Sequence, residues 1–90
     1  MTFRIERLIS EENTVVLRVS GRVHNDCIKT IKELIEAETG KIALDLGEVT
    51  LANRDAAAFL AGYEVKGIEL RNCPAYLRGL INKEQARIGP

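Results

Sequence analysis

The residues that could form a nucleophile and its base are one histidine and one cysteine. His24 is the only histidine among the 90 residues, and Cys27 follows it three positions later. A thiol that acts as a nucleophile needs a base within hydrogen-bond reach. The two side chains would be neighbours at the start of a helix, but the sequence offers no third group to orient the imidazole. We expect His24 to be a loop histidine and predict no catalytic residue here.

Two aspartates are the remaining candidates for acid–base chemistry. Asp45 and Asp55 flank a predicted loop, and an enzyme that uses both is one alternative for this chain. Such a pair would need a substrate cleft, which no other part of the sequence indicates. An aspartate in the first turn of a helix is stabilised by exposed N–H groups and by the helix dipole. We therefore favour a structural role for Asp55 taken by itself.

The sequence contains no pattern typical of a metal or cofactor site. One histidine and two distant cysteines, Cys27 and Cys73, do not have the spacing of a zinc site. The seven glycines are scattered and form neither GxGxxG nor GxxxxGK, so no phosphate-binding loop is predicted. We expect no metal, no cofactor and two reduced, partly buried thiols.

Composition excludes several classes of protein. Ninety residues suit one domain, 1–90, and the 13 basic residues balance the 13 acidic residues, which argues against nucleic acid as the main partner. No apolar run approaches the roughly 20 residues that span a bilayer. The first twelve residues also lack the apolar core of a signal peptide. The sequence therefore predicts a cytoplasmic protein without membrane insertion.

Hydrophobic periodicity predicts the elements that must position any site, in the order β-β-α-β-α-β-α. This order is typical of an α/β fold with a mixed, mostly parallel four-stranded sheet and helices packed against it. The predicted strands are 2–9, 15–19, 42–46 and about 68–71. The first predicted helix begins at Asn25 or Asp26 and ends before a C′ glycine, Gly40. The second runs from about Asn53 to Ala61, with Gly62 as the residue that ends it. The third begins at 72–74 and runs to about 82, and a tail, 83–90, is expected to fray.

The stretch from Ile42 to Gly62 is the centre of this arrangement. Its first residues, Ile42 to Leu46, are nearly all apolar, which predicts a strand covered on both faces. A loop, Gly47 to Ala52, is predicted at the carboxyl end of this strand. Loops at that edge of an α/β sheet commonly bind ligands and partners. We expect the functional residues there and in the first turn of the following helix.

The order of elements, this strand–loop–helix stretch and the run LDLGEVTL at 44–51 resemble the STAS domain. This is the fold of bacterial anti-sigma factor antagonists and of sulfate-transporter tails, and the resemblance covers nearly the whole chain. Family members carry an apolar strand, a loop, and then D-S-S-G at the start of a helix. Asn53 stands at the Asp of this motif, Arg54 at the first Ser, Asp55 at the second Ser and Ala56 at the Gly.

The resemblance implies a regulatory switch that this chain has altered. In antagonists of the family the second Ser is phosphorylated by a partner kinase, and phosphorylation disrupts binding. Asp55 has no hydroxyl and carries a fixed charge, smaller than that of a phosphoserine. Either Asp55 holds a phosphorylated-like state, or the site has drifted in a domain with another partner. Thr50 is the one hydroxyl in the adjoining loop and a candidate substitute acceptor.

The sequence thus predicts a non-enzymatic, STAS-like protein-interaction module. The partner would be an anti-sigma factor, a kinase-like protein or a subunit of a transport complex, and homodimer formation stays open. A small-molecule or nucleotide-binding regulatory domain is the alternative. In the predicted interface the alanines after Asp55 allow close approach and the polar residues give specificity. The predicted partner-binding residues are Thr50, Asn53, Arg54, Asp55, Ala56 and Ala57, with Asp55 as the equivalent of the phosphorylation site.

Overall fold

A computed structural model describes residues 3–10 and 12–88 and has the predicted order of elements. The strands are β1 (Phe3–Ile9), β2 (Val15–Val23), β3 (Ile42–Ala52) and β4 (Glu69–Arg71), and the helices are α1 (Asn25–Glu36), α2 (Arg54–Val65) and α3 (Ala75–Ile88). None of these helices is both long enough and apolar enough to cross a membrane.

The four strands form one mixed sheet in the order β1-β2-β3-β4. β1 and β2 are an antiparallel hairpin with Ile5 opposite Val19, and β3 and β4 both run parallel to β2. The hairpin turn closes through the Ser10 N–H, which donates to the Thr14 carbonyl at 2.9 Å, and Asn13 takes the left-handed conformation at φ 60°. The predicted mixed, mostly parallel sheet is confirmed, and β1 lies at its edge.

The hydrophobic core lies on one face of this sheet. Alternate strand residues point into it, among them Leu17, Val19, Leu44 and Leu46. The strand order moves in one direction, so right-handed crossovers place α1 and α2 on the same side. α3 packs against α2 and completes the layer.

The other face of the sheet carries a row of charged side chains, so the expectation that β3 is covered on both faces holds only for the start of the strand. Arg18 and Asp45 are register partners on β2 and β3, and the Arg18 Nε lies 3.7 Å from the Asp45 carboxylate. Arg71 continues the row on β4. Ala43, on the same face as Asp45, is fully buried at 0% exposure, so the start of β3 is covered on both faces and the charged row begins at Asp45.

Both central strands are longer than their local sequence predicts. The predicted loop from Gly47 to Ala52 is wrong, because these residues continue β3 and pair with β2 from Ser20 to Val23. The pairing register of β2 with β3 shifts between Arg18 and Ser20 and again between Gly21 and Arg22, as it does at β-bulges. Pairing between neighbouring strands therefore overrides the preference of glycine for turns.

The helix ends also differ from the sequence prediction. α1 has His24 at its N-cap, not Asn25 or Asp26, and it ends at Glu36, so Gly40 is not its C′ residue. α2 continues through Gly62 to Val65. Residues 83–88, predicted as a fraying tail, belong to α3, and residues 89 and 90 lie outside the described part of the chain.

Candidate functional site: the rim at the carboxyl ends of β2 and β3

β2 and β3 end side by side and hold the candidate site at one edge of the sheet. The two strand ends are joined where the Asn53 N–H donates to the Val23 carbonyl at 3.3 Å. We call the accessible side chains around this point the rim. The rim consists of Arg22, His24, Thr50, Leu51, Asn53, Arg54 and Asp55. His24 is half-buried and the other six residues are exposed.

Asn53 starts α2 as its N-cap. Its side-chain oxygen accepts the Ala56 N–H at 2.9 Å, and its backbone carbonyl accepts the Ala57 N–H at 3.1 Å. These bonds satisfy N–H groups that a helix start leaves without partners. The side-chain oxygen of Asn53 is therefore engaged in the fold, and the exposed amide nitrogen is the group that can face a partner.

Arg54 and Asp55 present opposite charges on the first turn of α2. The Arg54 Nε lies 3.4 Å from the Glu84 carboxylate of α3, and the Arg54 side chain is still 61% exposed. This contact fixes the base of the guanidinium and leaves its outer edge accessible. Asp55 is exposed at the helix start, where its charge is favourable. Both side chains face outward, as a docking role requires.

An apolar cavity of about 280 Å³ opens within the rim. Its walls come from the end of β2, the N-cap of α1 and the end of β3, and they include Arg22, His24 and Leu51. Leu51 is 56% exposed, which is unusual for a leucine in a central strand. Sequence reasoning missed these three residues. The right-handed crossover, which places the ends of β2 and β3 together, was the signal that could have found them.

The fold matches solved structures, although no protein-family model and no curated protein sequence matches the chain. The anti-sigma factor antagonist SpoIIAA in its unphosphorylated form aligns over 97% of this chain and 84% of its own, with a TM-score of 0.67 and 14% identity. An antisigma-factor antagonist STAS domain from Rhodobacter sphaeroides aligns over 78% of this chain and 84% of its own, with a TM-score of 0.50 and 14% identity.

The fold is that of a STAS domain. At 14% identity the likeness establishes the architecture and leaves the functional residues to the geometry of this chain. In this protein the four residues 53–56 that stand at the D-S-S-G motif do open α2. The sequence therefore placed them correctly at the boundary between β3 and α2.

Ala56 and Ala57 are not part of any accessible surface of the protein. Both are fully buried in the core, at 0% exposure, so their prediction as partner-binding residues is wrong. Their small side chains instead let α2 lie close to its neighbours in the core. The sequence could not separate these two functions, because alanines suit close approach to the core as well as to a partner.

Thr50 lies on β3 and not in a loop. Gly21 pairs with Val49 and Arg22 with Leu51, so Thr50 is the extra residue of an irregular strand segment. Such a bulge redirects side chains at a sheet end. Thr50 is exposed and remains accessible to a partner.

The two sets of residues considered for catalysis do not form sites. The Cys27 thiol is buried and donates to the Arg22 carbonyl at 3.3 Å. It is therefore not arranged as a nucleophile paired with His24. Asp45 lies near the start of β3 and Asp55 beyond its end, roughly 20 Å apart at about 3.3 Å per strand residue. The enzyme alternative built on these two carboxylates is therefore wrong.

Asp45 has structural partners of its own. Partial burial raises the pKa of Asp45, but it accepts bonds from the Gly47 N–H at 3.0 Å and the Asn72 amide at 3.3 Å. Together with the charge of Arg18, these bonds outweigh burial and leave the pKa below its usual value. Asp45 thus remains charged and links β3 to Asn72, which lies between β4 and α3.

The second cysteine is a free, half-buried thiol. Burial raises the pKa of the Cys73 thiol, so less of it is thiolate at neutral pH. Among residues 3–10 and 12–88 no group of three His, Cys, Asp or Glu side chains is arranged to hold a metal ion.

Proposed function

We propose that this STAS domain is a non-enzymatic interaction module that binds a regulatory protein through the rim. The supporting observation is that the rim combines an exposed leucine, Leu51, with exposed charges on rigid strand and helix ends. Interfaces gain most from a few apolar anchors surrounded by polar groups. The partner would place an apolar side chain in the 280 Å³ cavity and an acidic group near Arg54.

The structural neighbours support one class of partner in this proposal. Both solved structures described above are anti-sigma factor antagonists. An anti-sigma factor, including one of the kinase type, is therefore the first partner to test. A subunit of a larger transport or regulatory assembly would use the same rim.

In this proposal the rim works without a phosphorylated serine. Asp55 supplies one permanent charge at the position where the family motif has its second Ser. A phosphoserine would carry about −1.5 to −2 charges, so Asp55 reproduces only part of that field. Binding is then set by partner concentration and not by modification at this position.

Capture experiments with matched variants test the interface. The chain would be used as bait for candidate anti-sigma factors, and the affinity would be measured by calorimetry. We expect Leu51→Ser and Arg54→Glu to weaken binding at least tenfold, because each removes a central contact. Val65→Ser is the control, since Val65 is 64% exposed at the other end of α2. An equal loss of affinity for all three variants would contradict the proposed interface.

A second experiment tests the absence of a switch. Incubation with a kinase-type partner and ATP should leave the wild-type chain unmodified, while Asp55→Ser should accept phosphate and lose affinity. Mass spectrometry reports both results. Phosphate found on Thr50 of the wild type would contradict this part of the proposal.

A further inference from the structure

β1 forms an edge of the sheet that no other strand of residues 3–10 and 12–88 covers. It has seven residues and pairs with β2 without a register shift, whereas β4, at the opposite edge, has only three residues. Natural proteins often protect an edge with a short strand, a bulge, a proline or a lysine. β1 has none of these four features. Its backbone groups on this side are therefore free to pair with another strand.

The hydrogen bonds at the hairpin turn show which residues of β1 face this free edge. In an antiparallel pair, residues bonded to the neighbouring strand alternate with residues whose backbone groups point away from it. The Thr14 carbonyl accepts the Ser10 N–H at 2.9 Å, whereas the Val15 N–H donates to the Lys41 carbonyl on the other side of β2. Val15 is the register partner of Ile9, so the odd-numbered residues of β1 direct their backbone groups outward. These residues are Phe3, Ile5, Arg7 and Ile9.

A second copy of β1 can pair with this edge only in certain registers. Outward-facing residues must meet outward-facing residues, so the two-fold axis of a symmetric antiparallel pair lies at one residue position and not between two. Registers that overlap at least five residues of β1 place this axis at Ile5, Glu6 or Arg7. An axis at Glu6 or at Arg7 sets that residue against its own copy, and like charges directly opposite each other are destabilising. Only the axis at Ile5 avoids such a pair.

The axis at Ile5 also brings opposite charges together. It sets Arg4 of each copy directly opposite Glu6 of the other, at positions where the backbones exchange no bond and the side chains approach most closely. Both side chains lie on the outer face of the sheet and are accessible, with 75% and 39% of their surface exposed. Within one copy the two charged groups are 3.9 Å apart, which is a loose contact. These charges therefore select one register and do not block the edge.

Apolar side chains follow the same edge on the core face of the sheet. Phe3 and Ile5 pack against the core but are only half-buried. With the axis at Ile5, the two copies of this isoleucine become direct neighbours, and Phe3 of each copy lies opposite Arg7 of the other. The pairing would therefore cover apolar surface that a single copy leaves open.

We propose that the protein forms a two-fold symmetric dimer through β1, with a second copy of this chain as the partner. The two sheets join into one sheet of eight strands, four from each copy, with Ile5 at the axis. The strands exchange backbone bonds at Phe3, Ile5 and Arg7. Because both copies use the same edge, the assembly closes at two copies and leaves β4 outermost on each side. The two β1 strands run antiparallel, so the two rims lie at opposite ends of the strands and both stay accessible.

Sedimentation equilibrium of the whole chain tests dimer formation. An interface made by one pair of strands is smaller than the roughly 1,200–2,000 Å² of standard complexes, so the dimer should dissociate on dilution. We expect the mean mass to rise from that of one copy toward that of two between about 10 µM and 1 mM protein. A mass of one copy over the whole range, or a mass that rises beyond two copies, overturns the proposal.

Charge reversal tests the register of the two strands. Arg4→Glu and Glu6→Arg should each weaken self-association roughly tenfold or more, because two favourable pairs become two unfavourable ones. An equimolar mixture of these two variants restores opposite charges at both positions and should form a mixed dimer about as tightly as the wild type. Lys83→Glu is the control, since it makes the same change of charge on exposed α3 and should self-associate like the wild type.

The outcome for Arg4→Glu separates this register from the other two. With the axis at Glu6 or Arg7, Arg4 faces no charged residue, so a dimer that Arg4→Glu leaves unchanged would contradict the axis at Ile5. A mixture that stays monomeric would contradict it as well. Glu6 is the register partner of Arg18 within one copy, and circular dichroism shows whether Glu6→Arg still folds. If it does not, Arg4→Glu, which is opposite Ser20, decides the outcome alone.

Discussion

Asn53 shows how one side chain serves both the fold and the site. Its oxygen caps α2, its N–H joins the ends of β2 and β3, and its amide nitrogen stays exposed on the rim. An aspartate would make the same cap. The family motif that the sequence resembles has Asp at this position, so the substitution found here keeps the capping geometry and removes one negative charge from the rim.

Replacement of Asn53 should separate these roles. Asn53→Ala should lower the free energy of unfolding by about 0.5–2 kcal/mol, because the Ala56 N–H loses its partner. Asn53→Asp should stay within a few tenths of a kcal/mol of the wild type. Urea denaturation at neutral pH measures both. Equal stability of the Ala variant and the wild type would show that the cap contributes nothing.

At the scale of elements, α2 depends on a glycine other than the one predicted to stop it. The helix ends at Val65 with Lys66 as its C-cap. After it, the Gly67 N–H donates to the Glu64 carbonyl at 3.0 Å and the Ile68 N–H donates to the Tyr63 carbonyl at 3.1 Å. This pair of bonds is a Schellman motif, which requires a left-handed residue, and Gly67 has φ +105°. Gly62 lies inside the helix and has no such requirement.

The two glycines should therefore respond oppositely to alanine. Gly67→Ala should destabilise the protein by about 1–2 kcal/mol, because a Cβ is strained at this φ. Gly62→Ala should stabilise it by about 0.5–1 kcal/mol, since its Cβ would meet no atom within 4 Å and glycine disfavours helix interiors. Thermal unfolding of the two variants side by side gives the comparison. A loss of stability for both would mean that Gly62 has a packing role.

For the whole molecule, polar contacts between α2 and α3 close the helical layer. The Arg78 guanidinium donates to both oxygens of the Glu64 carboxylate, at 2.9 and 2.5 Å, and the Gln85 amide donates to one of them. The bonds from Arg78 have the largest effect, and together with the Gln85 bond they hold the pKa of Glu64 below its usual value. Partial burial acts in the opposite direction and is outweighed. The contact joins the end of α2 to the middle of α3.

This pKa predicts how global stability depends on pH. A carboxyl whose pKa is lowered by folding stabilises the protein above its unfolded pKa, near 4.3, and this contribution is lost as pH falls through the lowered value. Glu64→Gln should therefore be less stable than the wild type at pH 7, and the difference should shrink as the pH is lowered below about 4. Urea denaturation between pH 2 and 7 measures this difference. Glu33→Gln is the control, because Glu33 is exposed on α1. A difference that does not change with pH would contradict the assignment.

The sequence by itself determined the order of elements, the mixed sheet and the polar start of α2. These features depend on local patterns: alternation in β1, a helical period in α1 and polar residues before an apolar run at Asn53–Asp55. The resemblance of residues 44–51 to the STAS strand added the fold, which the solved structures then confirmed.

Only the tertiary structure decided which of these residues can meet another molecule. Strand pairing turned the predicted loop 47–52 into β3, and burial removed Ala56 and Ala57 from the surface. The same packing brought Leu51, Arg22 and His24 together around one cavity, although they come from two separate stretches of the chain. Local sequence cannot show this, because exposure and proximity depend on contacts between residues that are distant in the chain.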